Sequence, residues 1–164
     1  MKTPEMHKSR RILGIDPGFD RLGLAVVEGD PGRPLHIWSD CVLPKKGLSH
    51  YRLHEVYRAI ETAIETYAPD AVALETLFFS TNKKTAFAVA EARGAVMAAL
   101  GKYALPVVEF SPGSIKLAVT GHGGADKDSL ARMVPHLLTL PPKKRLDDEI
   151  DAIAIAITGL STRS

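Results

Sequence analysis

Three short apolar segments, each closed by turn-forming residues, fill the first 43 residues and constrain the fold more than any other feature. Residues 11–16, 22–28 and 35–43 have the length and composition of strands. Turn-forming residues end each of the three segments. In chain order they are Pro17-Gly18, the cluster Gly29-Asp30-Pro31-Gly32, and Pro44. Because tight turns join antiparallel strands, whereas parallel strands need long crossovers, we predict an antiparallel meander.

The chain then alternates between helical and strand-like segments. Apolar residues at i, i+3 and i+4 predict a helix over 49–67, and we expect further helices over 84–103, 114–119 and 126–138. Two short apolar segments, 71–76 and 106–110, predict a fourth and a fifth strand, which we expect to be parallel because helices precede them. Residues 148–160 are continuously apolar after an acidic start, which favours a helix. The sequence therefore predicts an α/β fold with a mixed five-stranded sheet.

Composition limits the classes of protein to which this chain can belong. We expect a single domain over residues 12–160 after a flexible basic tail over 1–11. The lone Cys41 excludes an intramolecular disulfide and a cysteine-cluster metal site, which fits a cytoplasmic protein. The apolar run 152–157 is far shorter than the ~20 residues of a membrane span, and the basic N-terminus lacks the apolar stretch of a secretion signal.

Charge is unevenly distributed, although the net charge is only +2. Residues 83–145 contain ten basic and four acidic residues, and both flanking segments, 12–82 and 146–164, are acidic. A basic middle segment of this kind favours contact with phosphates.

Four carboxylates stand where an active site is expected. Asp16 ends the first strand, Glu75 ends the fourth, and Asp148 and Asp151 share one face at the start of the last helix. Oxygen-rich clusters bind Mg²⁺ or Mn²⁺, and two such ions can promote phosphodiester hydrolysis. The alternative to a metal site is that Asp16 is a turn former before Pro17, Glu75 is an edge carboxylate and the Asp pair is a helix cap. Asp147 also shares a face with Asp151, so two registers remain open at this helix.

Several ordered motifs carry a family resemblance over nearly the whole chain. They are GIDPG at 14–18, the acidic strand end with its aromatic at 75–78, EARGAV at 91–96, SIKLAVTGHGGADK at 114–127 and DEIDAIAIAIT at 148–158. With these motifs the sequence resembles the RuvC-type Holliday-junction resolvases of the RNase H-like superfamily. The resemblance implies an RNase H-like fold with helices on both faces of the sheet.

The resemblance also implies an activity. Such a protein is a homodimer that binds a four-way DNA junction and nicks two strands symmetrically, leaving 5′ phosphates. Asp16, Glu75, Asp148 and Asp151 match the family's metal-binding carboxylates, which implies Mg²⁺ or Mn²⁺, with two ions per site. A RuvA/RuvB-like branch-migration complex and a nucleoid-associated location follow as expectations.

Seven residues are candidates for contact with DNA. The aromatic Phe78 can stack on an unpaired base, although one of the adjacent pair Phe78 and Phe79 is expected in the core. The others are polar or basic and lie around the Glu75 loop and the Gly-rich segment 121–124: Asn82, Lys83, Lys84, Lys116, His122 and Lys127. Lys143, Lys144 and Arg145 can either neutralise phosphates or form a mobile loop.

Three other functions fit parts of the pattern. An RNase H-like nuclease acting on structured RNA would use the same carboxylates. An actin-like or sugar-kinase-like fold shares the strand and Asp-Gly turn but needs two such domains, which 164 residues cannot supply. A binding module without catalysis would gain nothing from carboxylates that face phosphates.

Overall fold

The computed structural model describes residues 9–76 and 83–162. It contains five strands and five helices in the predicted order, with ends that differ by at most two residues. These are β1 (Arg10–Asp16), β2 (Leu22–Asp30), β3 (Arg33–Val42), α1 (Ser49–Tyr67), β4 (Ala71–Glu75), α2 (Lys83–Tyr103), β5 (Val107–Phe110), α3 (Pro112–Thr120), α4 (Lys127–Leu137) and α5 (Asp147–Leu160).

The first strand begins earlier than the predicted boundary of the basic tail. Arg10 already pairs with Gly29 in the sheet, and Arg11 pairs with Glu28. The Arg11 side chain forms an ion pair with Glu28 and donates a 2.6 Å hydrogen bond to the carbonyl of Tyr67. Both arginines therefore belong to the domain, because strand pairing and local bonds hold them there.

The sheet has the strand order β3-β2-β1-β4-β5. The first three strands are antiparallel, and β4 and β5 add in parallel on the other side of β1. The mixed five-stranded sheet is confirmed. Since β1 and β4 run in the same direction, their carboxyl ends lie at one edge of the sheet.

Helices cover both faces of the sheet, as predicted. Because side chains alternate along a strand, Ile12 of β1 packs against α3, α4 and α5, whereas Leu13 packs against α1 and α2. In β4 the same alternation sends Ala73 to the α5 face and Leu74 to the α1 face. The face of every later side chain in these strands follows from this alternation.

From Ala152 to Leu160 the apolar C-terminal helix α5 is buried on all sides. It packs on β1 and β2 on one side and against α3 and α4 on the other, which explains its continuous apolar sequence. Gly14 makes the close approach to β1 possible, because a Cβ there would lie 2.6 Å from the backbone nitrogen of Ala156. No helix within the described ranges is both long and apolar enough to cross a membrane.

Candidate active site

Two of the four predicted carboxylates meet at the carboxyl edge of the sheet. The parallel register pairs Ile15 of β1 with Leu74 of β4, so the next residues, Asp16 and Glu75, end adjacent strands. Side-chain alternation places both on the face that α5 covers. Strand order and parity are therefore enough to bring these two acids together.

The other two carboxylates come from the first turns of α5. Across the β1–β2 ladder, Asp16 pairs with Gly23, and a Cβ on Gly23 would collide with the carbonyl oxygen of Asp148. Glycine thus lets the start of α5 lie directly on the strand beside Asp16. Asp151 follows one turn later on the same side of the helix.

The structure distinguishes between the two possible registers at this helix. The Asp148 side chain is 26% exposed and its charge acts on Asp16. The Asp147 side chain is 76% exposed. Asp148 is therefore the acid of this pair that acts on Asp16.

Burial and mutual repulsion perturb these acids. Burial, together with the charges of Asp151, Glu75 and Asp148, raises the pKa of Asp16 to about 8. Burial and Asp151 also raise the pKa of Glu75. The pKa of Asp151 is raised by burial, although Lys127 opposes the shift. A buried group of like charges is unfavourable unless a cation is present.

Basic side chains supply part of that compensation. The Nη1 atom of Arg21 lies 3.4 Å from Asp148 Oδ2, and Lys127 Nζ lies 3.3 Å from Asp151 Oδ2. Within the described ranges, no three acidic, histidine or cysteine side chains are already gathered tightly enough to hold a metal ion. Instead, Asp148 pairs with Arg21 and Asp151 pairs with Lys127.

The donor set nevertheless suits a hard divalent cation. All four side chains supply carboxylate oxygens, the ligands that Mg²⁺ and Mn²⁺ prefer. A cation would also remove the penalty that holds the pKa of Asp16 near 8. The four carboxylates therefore fit the Mg²⁺ or Mn²⁺ that the sequence predicts.

A groove adjoins the carboxylates and brings in two of the predicted basic residues. Its volume is about 220 Å³. Two acidic residues, Glu75 and Asp151, and two basic residues, Lys116 and Lys127, line it together. Both lysines lower the pKa of Glu75 against the larger effect of burial, which places their charge close to that carboxylate. Remaining lining residues are Pro112, Ile115, Leu130 and Ile155.

The other predicted DNA contacts are placed differently. His122 lies in a separate, more open groove with Asp126 and Arg132, and its Nδ1 accepts a 3.0 Å hydrogen bond from the backbone of Gly124. Phe78 and Asn82 lie outside the described residues, as does Phe79. Lys83 and Lys84 begin α2, but their side chains are likewise not described.

Two residues near the site are not among the predicted ones. Arg93 of α2 donates a 3.2 Å hydrogen bond to the backbone carbonyl of Glu75 and pairs with Glu109 at 2.6 Å. It thereby ties the end of β4 to α2 and β5. Its position inside the motif EARGAV is the signal that could have identified it.

Glu149 is the second such residue, and it pairs with basic residues that the sequence analysis singled out. It is only 3% exposed, and Lys143 and Arg145 both pair with it. Lys143 and Arg145 therefore pair with a buried carboxylate in this structure, and their contact with phosphates stays a prediction. A buried carboxylate is costly in free energy unless basic side chains such as these pair with it.

Comparisons with known proteins match this architecture. The family model described as crossover junction endodeoxyribonuclease RuvC matches residues 12–159. A protein of that name from Thermosipho melanesiensis is 42% identical over 147 residues, covering 89% of this chain and 94% of that protein. Another, from Thermomicrobium roseum, is 43% identical over 149 residues, covering 90% of each.

Solved structures agree with the sequence matches. Thermus thermophilus RuvC in complex with a Holliday junction substrate superposes with a TM-score of 0.84 at 32% identity, covering 91% of this chain and 92% of that one. The yeast mitochondrial Holliday junction resolvase Ydc2 has a TM-score of 0.68 at 12% identity, covering 92% of this chain and 78% of that one, and so supports the RNase H-like fold alone. The model match and the relatives together show that this chain belongs to the RuvC family of crossover junction endodeoxyribonucleases.

Proposed function

We propose that this protein is a divalent-metal-dependent endonuclease that resolves four-way DNA junctions by paired, symmetric nicks leaving 5′ phosphates. The observation that carries the proposal is the convergence of Asp16, Glu75, Asp148 and Asp151 beside a groove that Lys116 and Lys127 also line. Membership of the RuvC family, and the Holliday junction bound by a relative of the same fold, support four-way DNA as the substrate.

The four carboxylates would hold the cations, with Asp16 central because the other three act on it. Bound divalent ions supply an activated water and stabilise the leaving oxygen of a phosphodiester. Asp16 and Glu75 are carried on adjacent strands, and Asp148 and Asp151 on a helix that packs directly on the sheet. Rigid elements on both sides keep the ligands aligned without loop rearrangement. Either Mg²⁺ or Mn²⁺, with two ions per site, fits this set.

The groove lysines would meet the DNA backbone. Lys116 and Lys127 place two positive charges next to the acids, where the scissile phosphate brings negative charge. In the structure Lys127 pairs with Asp151, and its side chain is 62% exposed, so it can reach a ligand in the groove. The roles of Phe78, Asn82, Lys83, Lys84 and His122 in DNA contact stay predictions.

A homodimer follows from the need for two symmetric nicks, and α2 offers a surface for it. Its outward side carries Phe87, 74% exposed, and Met97, 41% exposed, about three turns apart. Between them Gly94 is exposed, with no atom within 4 Å of a Cβ built on it. Small and apolar residues on one helix face allow a second copy to approach closely.

Two further expectations rest on the resemblance. Coupling to a RuvA/RuvB-like branch-migration complex is expected of a resolvase that acts on mobile junctions. A cytoplasmic, nucleoid-associated location is expected because the substrate is chromosomal DNA. Added RuvA and RuvB proteins should change the rate or position of cleavage on a mobile junction.

The experiment that tests the proposal compares substrates at equal concentration with Mg²⁺ or Mn²⁺. A mobile four-way DNA junction, a linear duplex of the same sequence and a structured RNA are incubated with the protein, and the products are mapped. We expect paired nicks at symmetric positions in the junction and little cleavage of the others. Equal cleavage of the linear duplex, or preference for the RNA, would overturn the assignment.

A further inference from the structure

A buried polar cluster lies at the first turn of α5, outside the four carboxylates of the active site. It centres on Glu149, whose Oε1 accepts a 2.6 Å hydrogen bond from Ser39 Oγ. Lys143 Nζ lies 2.9 Å and Arg145 Nε 3.1 Å from the same oxygen. Glu149 and Ser39 are 3% and 4% exposed, so solvent contributes little to this carboxylate.

Further hydrogen bonds join the members of the cluster to one another. His36 Nε2 lies 2.8 Å from Ser39 Oγ, and because the serine hydroxyl donates to Glu149, the imidazole is the donor in this bond. Lys143 also donates to the backbone carbonyl of Ser39 at 3.0 Å. One carboxylate thus fastens the edge strand β3 and the segment before α5 to the helix itself.

The start of α5 differs from the starts of α3 and α4 in having no side-chain cap. The N-cap position is Leu146, and no side-chain cap hydrogen bond forms there. By contrast, Ser111 caps α3 and Asp126 caps α4 through side-chain oxygens. Glu149 instead links the first turn of α5 to β3 through the hydrogen bond from Ser39.

Glu149 stands next to Asp148 and two residues before Asp151. Along a helix it points about 100° away from Asp148, so it can be held by β3 while its neighbours face Asp16. The carbonyl oxygen of Asp148 lies so close to Gly23 of β2 that a Cβ on Gly23 would collide with it. Fixing Glu149 from the β3 side and Asp148 from the β2 side leaves the first turn little freedom to rotate or slide.

We propose that Glu149, with Ser39, Lys143 and Arg145, is a positioning cluster that holds Asp148 and Asp151 in place for a divalent cation. This inference rests on the proposed function and adds a specific role for residues outside the ligand set. Hydrogen-bond partners that orient metal ligands commonly change metal affinity by about 10–100-fold when removed.

The chain contains a matched control for a purely structural role. Glu61 of α1 is also 3% exposed, and two basic side chains pair with it, Arg58 at 2.5 Å and Lys102 at 2.6 Å. It lies between α1 and α2, on the sheet face opposite α5. Breaking either buried ion pair destabilises the fold, but only one of them adjoins the carboxylates.

The experiment compares Glu149→Gln with Glu61→Gln in the full chain, without DNA. Binding of Mn²⁺ is measured by calorimetric titration and by the Mn²⁺-induced rise in Tm. The milder pair Lys143→Met and Lys102→Met, at lysines about half exposed, repeats the comparison in case a glutamate variant fails to fold. Asp16→Asn serves as the reference for loss of the metal site.

We expect both glutamate variants to lower the Tm without metal by similar amounts. Only Glu149→Gln, and more weakly Lys143→Met, should raise the Mn²⁺ concentration for half-saturation, by about 10-fold or more. Unchanged Mn²⁺ binding in both cluster variants, or an equal change in the Glu61 and Lys102 controls, would overturn the inference. Wild-type Mn²⁺ binding by Asp16→Asn would instead overturn the metal site itself, and with it the proposed function.

Discussion

Lys127 Nζ at the start of α4 lies 3.3 Å from Asp151 Oδ2 at the start of α5, so a positive charge already faces the carboxylates of the proposed metal site. Burial disfavours its charge, but Asp151, Asp147 and Asp148 outweigh that effect and raise the pKa of Lys127. The lysine therefore stays charged and compensates the acids when no metal is bound. When DNA is bound, the same ammonium group can turn to a phosphate.

Replacing this lysine should separate metal binding from DNA cleavage. We expect Lys127→Met to bind Mn²⁺ at least as tightly as the wild type, because a competing positive charge is gone. Junction cleavage should fall by about 10²-fold, the usual cost of removing one donor that stabilises transition-state charge. Single-turnover cleavage and Mn²⁺ titration measure the two effects, with Lys46→Met, an exposed lysine in the loop before α1, as the control. Weaker Mn²⁺ binding in Lys127→Met would contradict this role.

The neighbouring pair Asp147 and Asp148 provides a test of the helix register. Asp148 faces Asp16, whereas the Asp147 side chain is 76% exposed. We expect Asp148→Asn to lose cleavage by at least about 10²-fold, because one carboxylate ligand is removed. Asp147→Asn should cleave the junction at a rate within a few-fold of the wild-type rate. Cleavage rates on the same junction decide between them, and the reverse order would show that Asp147 is the ligand.

The raised pKa of Asp16 predicts how stability depends on pH when divalent metal is absent. Its pKa is about 8 in the folded chain against 3.8 ordinarily, so folding favours the protonated acid. That contribution is complete below pH 3.8 and is lost as the pH rises through about 8. Over this window the wild type should lose on the order of 1 kcal/mol per pH unit relative to Asp16→Asn.

Thermal unfolding in EDTA between pH 4 and pH 8 measures this difference. Asp16→Asn should be the more stable protein at the alkaline end, and Asp147→Asn should follow the wild type. Parallel curves for the wild type and Asp16→Asn would contradict the account of a buried, repelled carboxylate.

Gly23 is a position where the sheet meets α5, the helix that carries Asp148 and Asp151. A Cβ there would collide with the Asp148 carbonyl, and backbone cannot yield as a flexible side chain can. We expect Gly23→Ala to cost about 1–3 kcal/mol of stability and to reduce cleavage, because the start of α5 must shift. At Gly47 a Cβ would meet nothing within 4 Å, so Gly47→Ala should leave both unchanged. Denaturant unfolding and cleavage assays on both variants provide the test.

Much of the fold and half of the site follow from local patterns in the chain. Alternation along β1 and β4, with a parallel pairing between them, is enough to place Asp16 and Glu75 side by side. The apolar sequence of α5 indicates a buried helix, and its acidic start places Asp148 on the same edge. These properties depend on periodicity and connection length, which a sequence displays directly.

Long-range polar pairing could not be predicted in this way. The partners Ser39 and Glu149 are 110 residues apart, and neither stands in a pattern that indicates the other. Lys143 and Arg145 looked like surface charge because their buried partner is visible only after β3 and α5 have packed. Arg93 differs, since its motif drew attention to the segment but not to the carbonyl of Glu75 that it binds.

The most direct test of the central claim is cleavage of a four-way DNA junction by the wild type and by Asp16→Asn, with Mg²⁺ and with EDTA. Gel-shift assays on the same junction show whether each protein binds it. We predict that both proteins bind, and that only the wild type with Mg²⁺ produces paired symmetric nicks with 5′ phosphates. Normal cleavage by Asp16→Asn, or cleavage by the wild type in EDTA, would contradict the account.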